Sequence, residues 1–241
     1  MQARLLVVLR VLTVVLVIGI AVVVFFLVSH FLETDRAPRT EMERAVVAAE
    51  EAVRATPDSP AARIKLAAAY LESGAVRSAR EQADIAVRLA PSDPAAHYIV
   101  GLVQAKEGSA SEAIESYEKA VALEGQVAAF YQDVWAAIAK AYQSLGEFDK
   151  ALEAADKALD FGPENALMLV MRAEIYEQQE LWADALYDYY QALSFGYTEA
   201  QPAIDRIAAA HPEALEEVRT RFGLDTETEE DPAVMPDASS E

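Results

Sequence analysis

The chain has 241 residues, no cysteine and a formal net charge of −20. A surface this acidic repels phosphate backbones and anionic headgroups, so nucleic acid is not expected among its partners. The absence of cysteine excludes disulfides, thiolate-bound zinc and a thiol nucleophile, and leaves the redox compartment open.

After a short tail, residues 1–10, the run from Val11 to Leu32 contains no charged residue. As a helix, its 22 residues would measure roughly 33 Å, close to the ~30 Å of a hydrocarbon core, which predicts a transmembrane helix over 11–32. The run ends in Val28-Ser29-His30-Phe31-Leu32 and lacks a small-residue cleavage pattern, so an uncleaved anchor is expected. Arg4 and Arg10 precede it and Arg36, Arg39 and Arg44 follow, a balance that does not fix orientation. A short tail before a long span favours an N-terminus inside and a soluble domain outside the cytoplasm. The alanine-rich, arginine-over-lysine composition is compatible with a bacterial cell membrane. Residues 33–59 read as a linker and a partial unit, in which Ala45, Ala49, Ala52 and Pro57 match only a second helix.

Beyond residue 59 the chain repeats itself. Leu66-Ala67-Ala68-Ala69-Tyr70 is followed by Gly74, Ala79, Ala83, Ala86 and Pro91. Ile138-Ala139-Lys140-Ala141-Tyr142 is followed at the same spacings by Gly146, Ala151, Ala155, Ala158 and Pro163, with Trp135 ahead of it. Val100-Gly101, Gly108, Ala113, Tyr117 and Ala120 form a copy between them, with Gly125 in place of the closing proline. Arg172-Ala173, Tyr176, Ala185, Tyr189 and Ala192 form a fourth, divergent at Arg172 and Tyr197.

These residues and their period resemble the tetratricopeptide repeat (TPR). The resemblance implies an all-α, right-handed TPR solenoid of helical hairpins, here preceded by one transmembrane helix. The units are 60–93, 94–127, 132–165 and 166–199. Small residues fall where helix axes approach, and Gly74, Gly108 and Gly146 suit turns that need positive φ. Ala128-Ala129-Phe130-Tyr131 are extra, about one helical turn, and are expected to lengthen the next helix at its start. They read either as a boundary insertion or as a groove lip made by Phe130 and Tyr131. Residues 200–224 are expected to form capping helices in which Ile204, Ile207, Leu215, Val218 and Phe222 cover the open end. The tail 225–241, with seven acids and no base, is expected to be disordered.

No catalytic, cofactor or metal site is expected. His30, His97 and His211 stand in no metal-binding spacing, and no phosphate-cradling glycine loop is present. Function then falls to the surface. The resemblance implies a groove lined by the first helix of each unit: Ile64, Ala68 and Leu71; Tyr98 and Leu102; Asp133, Lys140 and Gln143; Val170 and Glu174, with Ala61, Ala95, Ala105, Ala136, Leu167 and Glu177 completing it. The basic clamp with which some TPR domains grip acidic C-termini is missing, because Ile64, Ala68, Ile99, Asp133 and Ala137 hold those places. An apolar near half and a polar far half suit an amphipathic helix or apolar peptide from a protein partner. The chain's own residues 40–56 are an alternative occupant. The expected role is a membrane-anchored adaptor or assembly factor, and its alternative is a self-assembling, homo-oligomeric structural subunit.

Overall fold

A computed structural model describes residue 16 and residues 18–26, 40–123 and 126–223. Eleven consecutive α-helices follow Thr40 among the described residues, and no strand occurs there. They are α1 (Glu41–Ala55), α2 (Pro60–Glu72), α3 (Val76–Leu89), α4 (Pro94–Lys106), α5 (Ala110–Ala122) and α6 (Ala128–Ser144). Then come α7 (Phe148–Phe161), α8 (Ala166–Gln178), α9 (Trp182–Ser194), α10 (Gln201–Ala210) and α11 (Pro212–Phe222). A 3-10 turn, Thr198–Ala200, leads into α10. The helices pair as hairpins α2/α3, α4/α5, α6/α7 and α8/α9, and each hairpin packs on the next.

Local chemistry starts and stops these helices. Ser59, Asp93 and Asn165 cap α2, α4 and α8, each accepting a hydrogen bond from a backbone N–H in the first turn. Tyr131 occupies the corresponding place in the third unit and cannot cap. There the helix runs back through residues 128–131 to start at Ala128, so α6 has 17 residues against 13 in α2, α4 and α8. The hairpin turns close by backbone bonds such as Ala75 N–H to Tyr70 O at 2.8 Å, with Gly74, Gly108 and Gly146 at φ 78°, 86° and 73°. Glu180 takes the glycine position of the fourth unit at φ 60°.

The core is built on alanine. Ala67, Ala79, Ala86, Ala113, Ala120, Ala139, Ala151, Ala158, Ala173, Ala185 and Ala192 are all 0% exposed. At these contacts a larger side chain would overpack, at a cost of about 1–3 kcal/mol.

One expectation, the membrane span, falls largely outside the described residues, and another needs correction. Among the described residues no helix is long and apolar enough to cross a membrane. Residues 18–26 are helical with exposed side chains, and apart from residue 16 the remainder of 11–32 lies outside the described residues, as do Gly125 and the tail 225–241. Secondly, the segment suggested as the groove's own occupant is instead a regular helix of the stack. Helix α1, opened by a capping box between Thr40 and Glu43, packs on α2, where the Tyr70 hydroxyl donates to Glu50 at 2.7 Å. At the other end, α10 and α11 bury Ile204, Ile207 and Val218 against α9, with Leu215 and Phe222 partly buried around them.

Candidate functional site

Helices α2, α4, α6 and α8 are the first helices of the four hairpins, and their equivalent positions form three rows across the stack beside a fourth, mostly exposed row of Ala61, Ala95, Asp133 and Leu167. The first row is Ile64, Tyr98, Ala136 and Val170, apolar throughout and half-buried. The second, Ala68, Leu102, Lys140 and Glu174, changes from apolar to charged at the third unit. Leu71, Ala105, Gln143 and Glu177 make the third row and change at the same place.

Packing fixes the apolar half. Ile64, Ala68 and Leu71 are half-buried on a cluster formed by Ala67, Ala79, Ala83, Ile99 and Val103, and Leu102 lies on both this cluster and the next. Tyr98 stands between Tyr117 and Phe130, with ring centroids 5.8 Å and 5.6 Å away. Its hydroxyl finds no hydrogen-bond partner among the described residues. Burial, reinforced by the charge of Asp133, pushes its pKa up to about 12. Partial burial in turn raises the Asp133 carboxyl above its ordinary value. The site thus offers a half-buried apolar strip ending at a neutral phenol and a carboxylate.

The two residues suggested as a lip stay in edge-to-face contact, with ring centroids 5.5 Å apart, but have different further partners. Phe130 turns onto Tyr98, edge to face. Tyr131 also stacks on Phe161 at 5.7 Å, while its hydroxyl donates to the Leu123 carbonyl at 2.7 Å. Phe130 thus touches the apolar strip through Tyr98, and Tyr131 stands behind Phe130.

The far half is more committed than its sequence suggests. Glu177 accepts from the Tyr189 hydroxyl at 2.6 Å and from Arg206 of α10 at 2.7 Å. Lys140 and Glu174 remain exposed, and Gln143 and Val170 are half-buried. Sequence reasoning did not find Arg206, which lies 29 residues from its partner and in a different element. It also left Arg172 unexplained at a place where the other units carry Leu66, Val100 and Ile138. Arg172 makes a two-pronged pair with buried Asp188, at 2.7 and 2.8 Å, and a bond to Asp156 at 2.5 Å. Burial alone would lower the guanidinium's pKa. The bonds to Asp188 and Asp156 outweigh it and hold the group above its ordinary value, fully charged. Among the described residues no three His, Cys, Asp or Glu side chains are placed to hold a metal ion.

Stacked helical hairpins with one open face of first helices define an α-solenoid interaction scaffold. The tetratricopeptide-repeat family model matches residues 41–94, 64–128 and 136–194, and the chain belongs to the tetratricopeptide-repeat family. No curated protein matches the chain in sequence. Among solved structures, a chain of the APC/C hetero-tetramer Cut9-Hcn1 aligns at TM-score 0.63 and 19% identity, over 69% of this chain and 33% of that one. This chain therefore spans a third of that relative. MamA aligns at TM-score 0.55 and 25% identity, over 67% of this chain and 92% of MamA. YrrB, described as a TPR protein with an unusual peptide-binding site, aligns at TM-score 0.54 and 16% identity, over 73% and 93%.

Proposed function

We propose that this protein is a membrane-tethered adaptor or assembly factor that holds a peptide or amphipathic helix of a partner along the open face of α2, α4 and α6. One observation carries the reading: Ile64, Ala68, Leu71, Tyr98 and Leu102 form a half-buried apolar strip on first helices, ending at the Tyr98 hydroxyl beside Asp133. Such a surface suits a ligand with an apolar stripe and a polar end. The fold is one that binds proteins, and the peptide-binding site named for YrrB is an analogous use of it. The scaffold contributes a surface and no chemistry, so catalysis, cofactor and metal have no part in this reading.

Residues 11–32 supply the tether in this proposal, as a single span with the N-terminus inside and the repeats outside the cytoplasm of a bacterial cell. Anchoring raises the local concentration of the repeats near a membrane partner, so modest groove affinity suffices. A second reading, a self-assembling subunit, draws on the exposed Val127, Phe161 and Leu167 at neighbouring ends of α6, α7 and α8.

Photo-crosslinking in intact membranes tests both. A photoreactive residue at exposed Ala105 should capture a distinct protein, and one at Glu115 on a second helix should not. Self-crosslinks alone, equal at both positions, would overturn the adaptor reading in favour of the structural one. Carbonate extraction tests the tether: the full chain should stay in the membrane fraction, and a chain lacking residues 1–32 should leave it.

A further inference from the structure

Trp135 and Tyr142 lie two turns apart on α6, on the side opposite Asp133, Ala136 and Lys140. They floor a cavity of about 210 Å³ that is bounded by Glu118 of α5 and by Lys150, Glu153 and Lys157 of α7. The two lysines are also seven residues apart. Each places its ammonium over one ring: Lys157 Nζ is 4.6 Å from the Trp135 centroid, and Lys150 Nζ is 5.3 Å from that of Tyr142. Glu153 anchors Lys157 at 2.7 Å, and Glu147 anchors Lys150 at 2.6 Å.

The rings and the cations differ in freedom. Trp135 and Tyr142 are held against the buried cluster of α5, α6 and α7. Lys157 and Lys150 are 42% and 60% exposed on flexible stems. The cavity therefore presents fixed aromatic faces and nearby carboxylates, covered by side chains that can swing away.

We propose that this cavity binds a substituted ammonium group, which takes the Trp135 face as Lys157 moves aside, with Glu153 and Glu118 as counter-charges. Aromatic faces attract cations through the ring quadrupole, and a methylated ammonium gives up less hydration while covering more of the ring. An unmodified lysine from outside would offer only what Lys157 already presents at high effective concentration. Methylation is what makes displacement favourable. The site is separate from the proposed groove and does not depend on it.

Nitrogen-15 NMR of the full-length protein in a maltoside detergent gives one indole N–H signal for each of Trp135 and Trp182, assigned with Trp182→Phe. Titration with tetramethylammonium chloride should move the Trp135 signal saturably, with a midpoint in the millimolar range. The Trp182 signal, from a ring stacked on His211, should stay in place. Lys157→Ala should lower the midpoint several-fold, and Glu153→Gln should raise it. A peptide carrying trimethyllysine that binds tighter than tetramethylammonium would identify the source as a modified protein, and equal binding would identify a small-molecule ammonium. The proposal is overturned if sodium chloride at equal ionic strength moves the Trp135 signal as far, or if Lys157→Ala leaves the midpoint unchanged in an otherwise native spectrum.

Discussion

Tyr117 fills the space that Gly101 leaves empty. A Cβ on residue 101 would lie 2.5 Å from Tyr117 Cδ1 and closer still to Cε1. The first and third units solve the same contact with two small residues, Ala67 with Ala83 and Ala139 with Ala155, all buried. The fourth unit buries Tyr189 at the place of Tyr117 with Ala173 at that of Gly101, so glycine is required at 101 by the path of the Tyr117 ring and not by ring size alone.

Gly101→Ala should therefore destabilise the protein by about 1–3 kcal/mol through overpacking. Urea unfolding of the single variant and of Gly101→Ala/Tyr117→Ala checks the cause. The double variant should lack the strain and show only the loss of the ring, so the two effects should be strongly non-additive. Additive losses would mean that the ring does not press on residue 101.

Arg172→Leu restores the apolar residue type found at this place in the other units, yet it should destabilise. Asp188, 1% exposed, would lose its counter-charge, at a cost of about 3–5 kcal/mol. Adding Asp188→Ala should recover most of that loss. A thermal-melt double-mutant cycle measures the coupling, and near-additive effects would refute it.

Glu180 is exposed and sits at φ 60° where the other three hairpin turns use glycine. Left-handed backbone costs a non-glycine residue roughly 1–2 kcal/mol. Part of this is offset by the larger entropy that glycine loses on folding. Glu180→Gly should raise stability by about 1 kcal/mol, read as a higher urea midpoint with unchanged slope, whereas Glu180→Ala should not.

Arg80 of α3 pairs with Glu107 at the end of α4, tying the first unit to the second. The hydrogen bond from Arg80 holds the Glu107 carboxyl below its ordinary value of 4.5. A lowered folded pKa contributes stability that is complete above the unfolded value. That contribution should fade as pH falls from about 4.5 through the lowered folded value. Arg80→Gln should remove this part of the acid-side slope and cost less than about 1 kcal/mol at neutral pH, because the pair is partly hydrated. Stability measured against pH for the native chain and the variant would show it, and parallel curves would exclude the pair as a contributor.

The apolar strip shows how far sequence reading reaches. The period alone places Ile64, Tyr98, Ala136 and Val170 in equivalent positions, and residue types alone reveal the change from apolar to charged along the stack. That Glu177 is held by Arg206, and that Phe130 turns to Tyr98 while Tyr131 turns to Phe161, could not be read there. Each of those outcomes depends on the direction of a side chain at a junction where the repeat is broken.

By itself the sequence determined the all-α repeat, the alanine contact rows and the glycine turns. Those features are local in the chain or recur at one spacing, and each has a physical cause in backbone conformation or helix approach. Only the tertiary structure decided which non-repeating groups meet: Arg172 with Asp188, Arg206 with Glu177, Tyr117 with Gly101, and the Trp135 and Tyr142 rings with two lysines. Such pairs join different helices, and their distances are set by how the helices cross rather than by spacing along the chain.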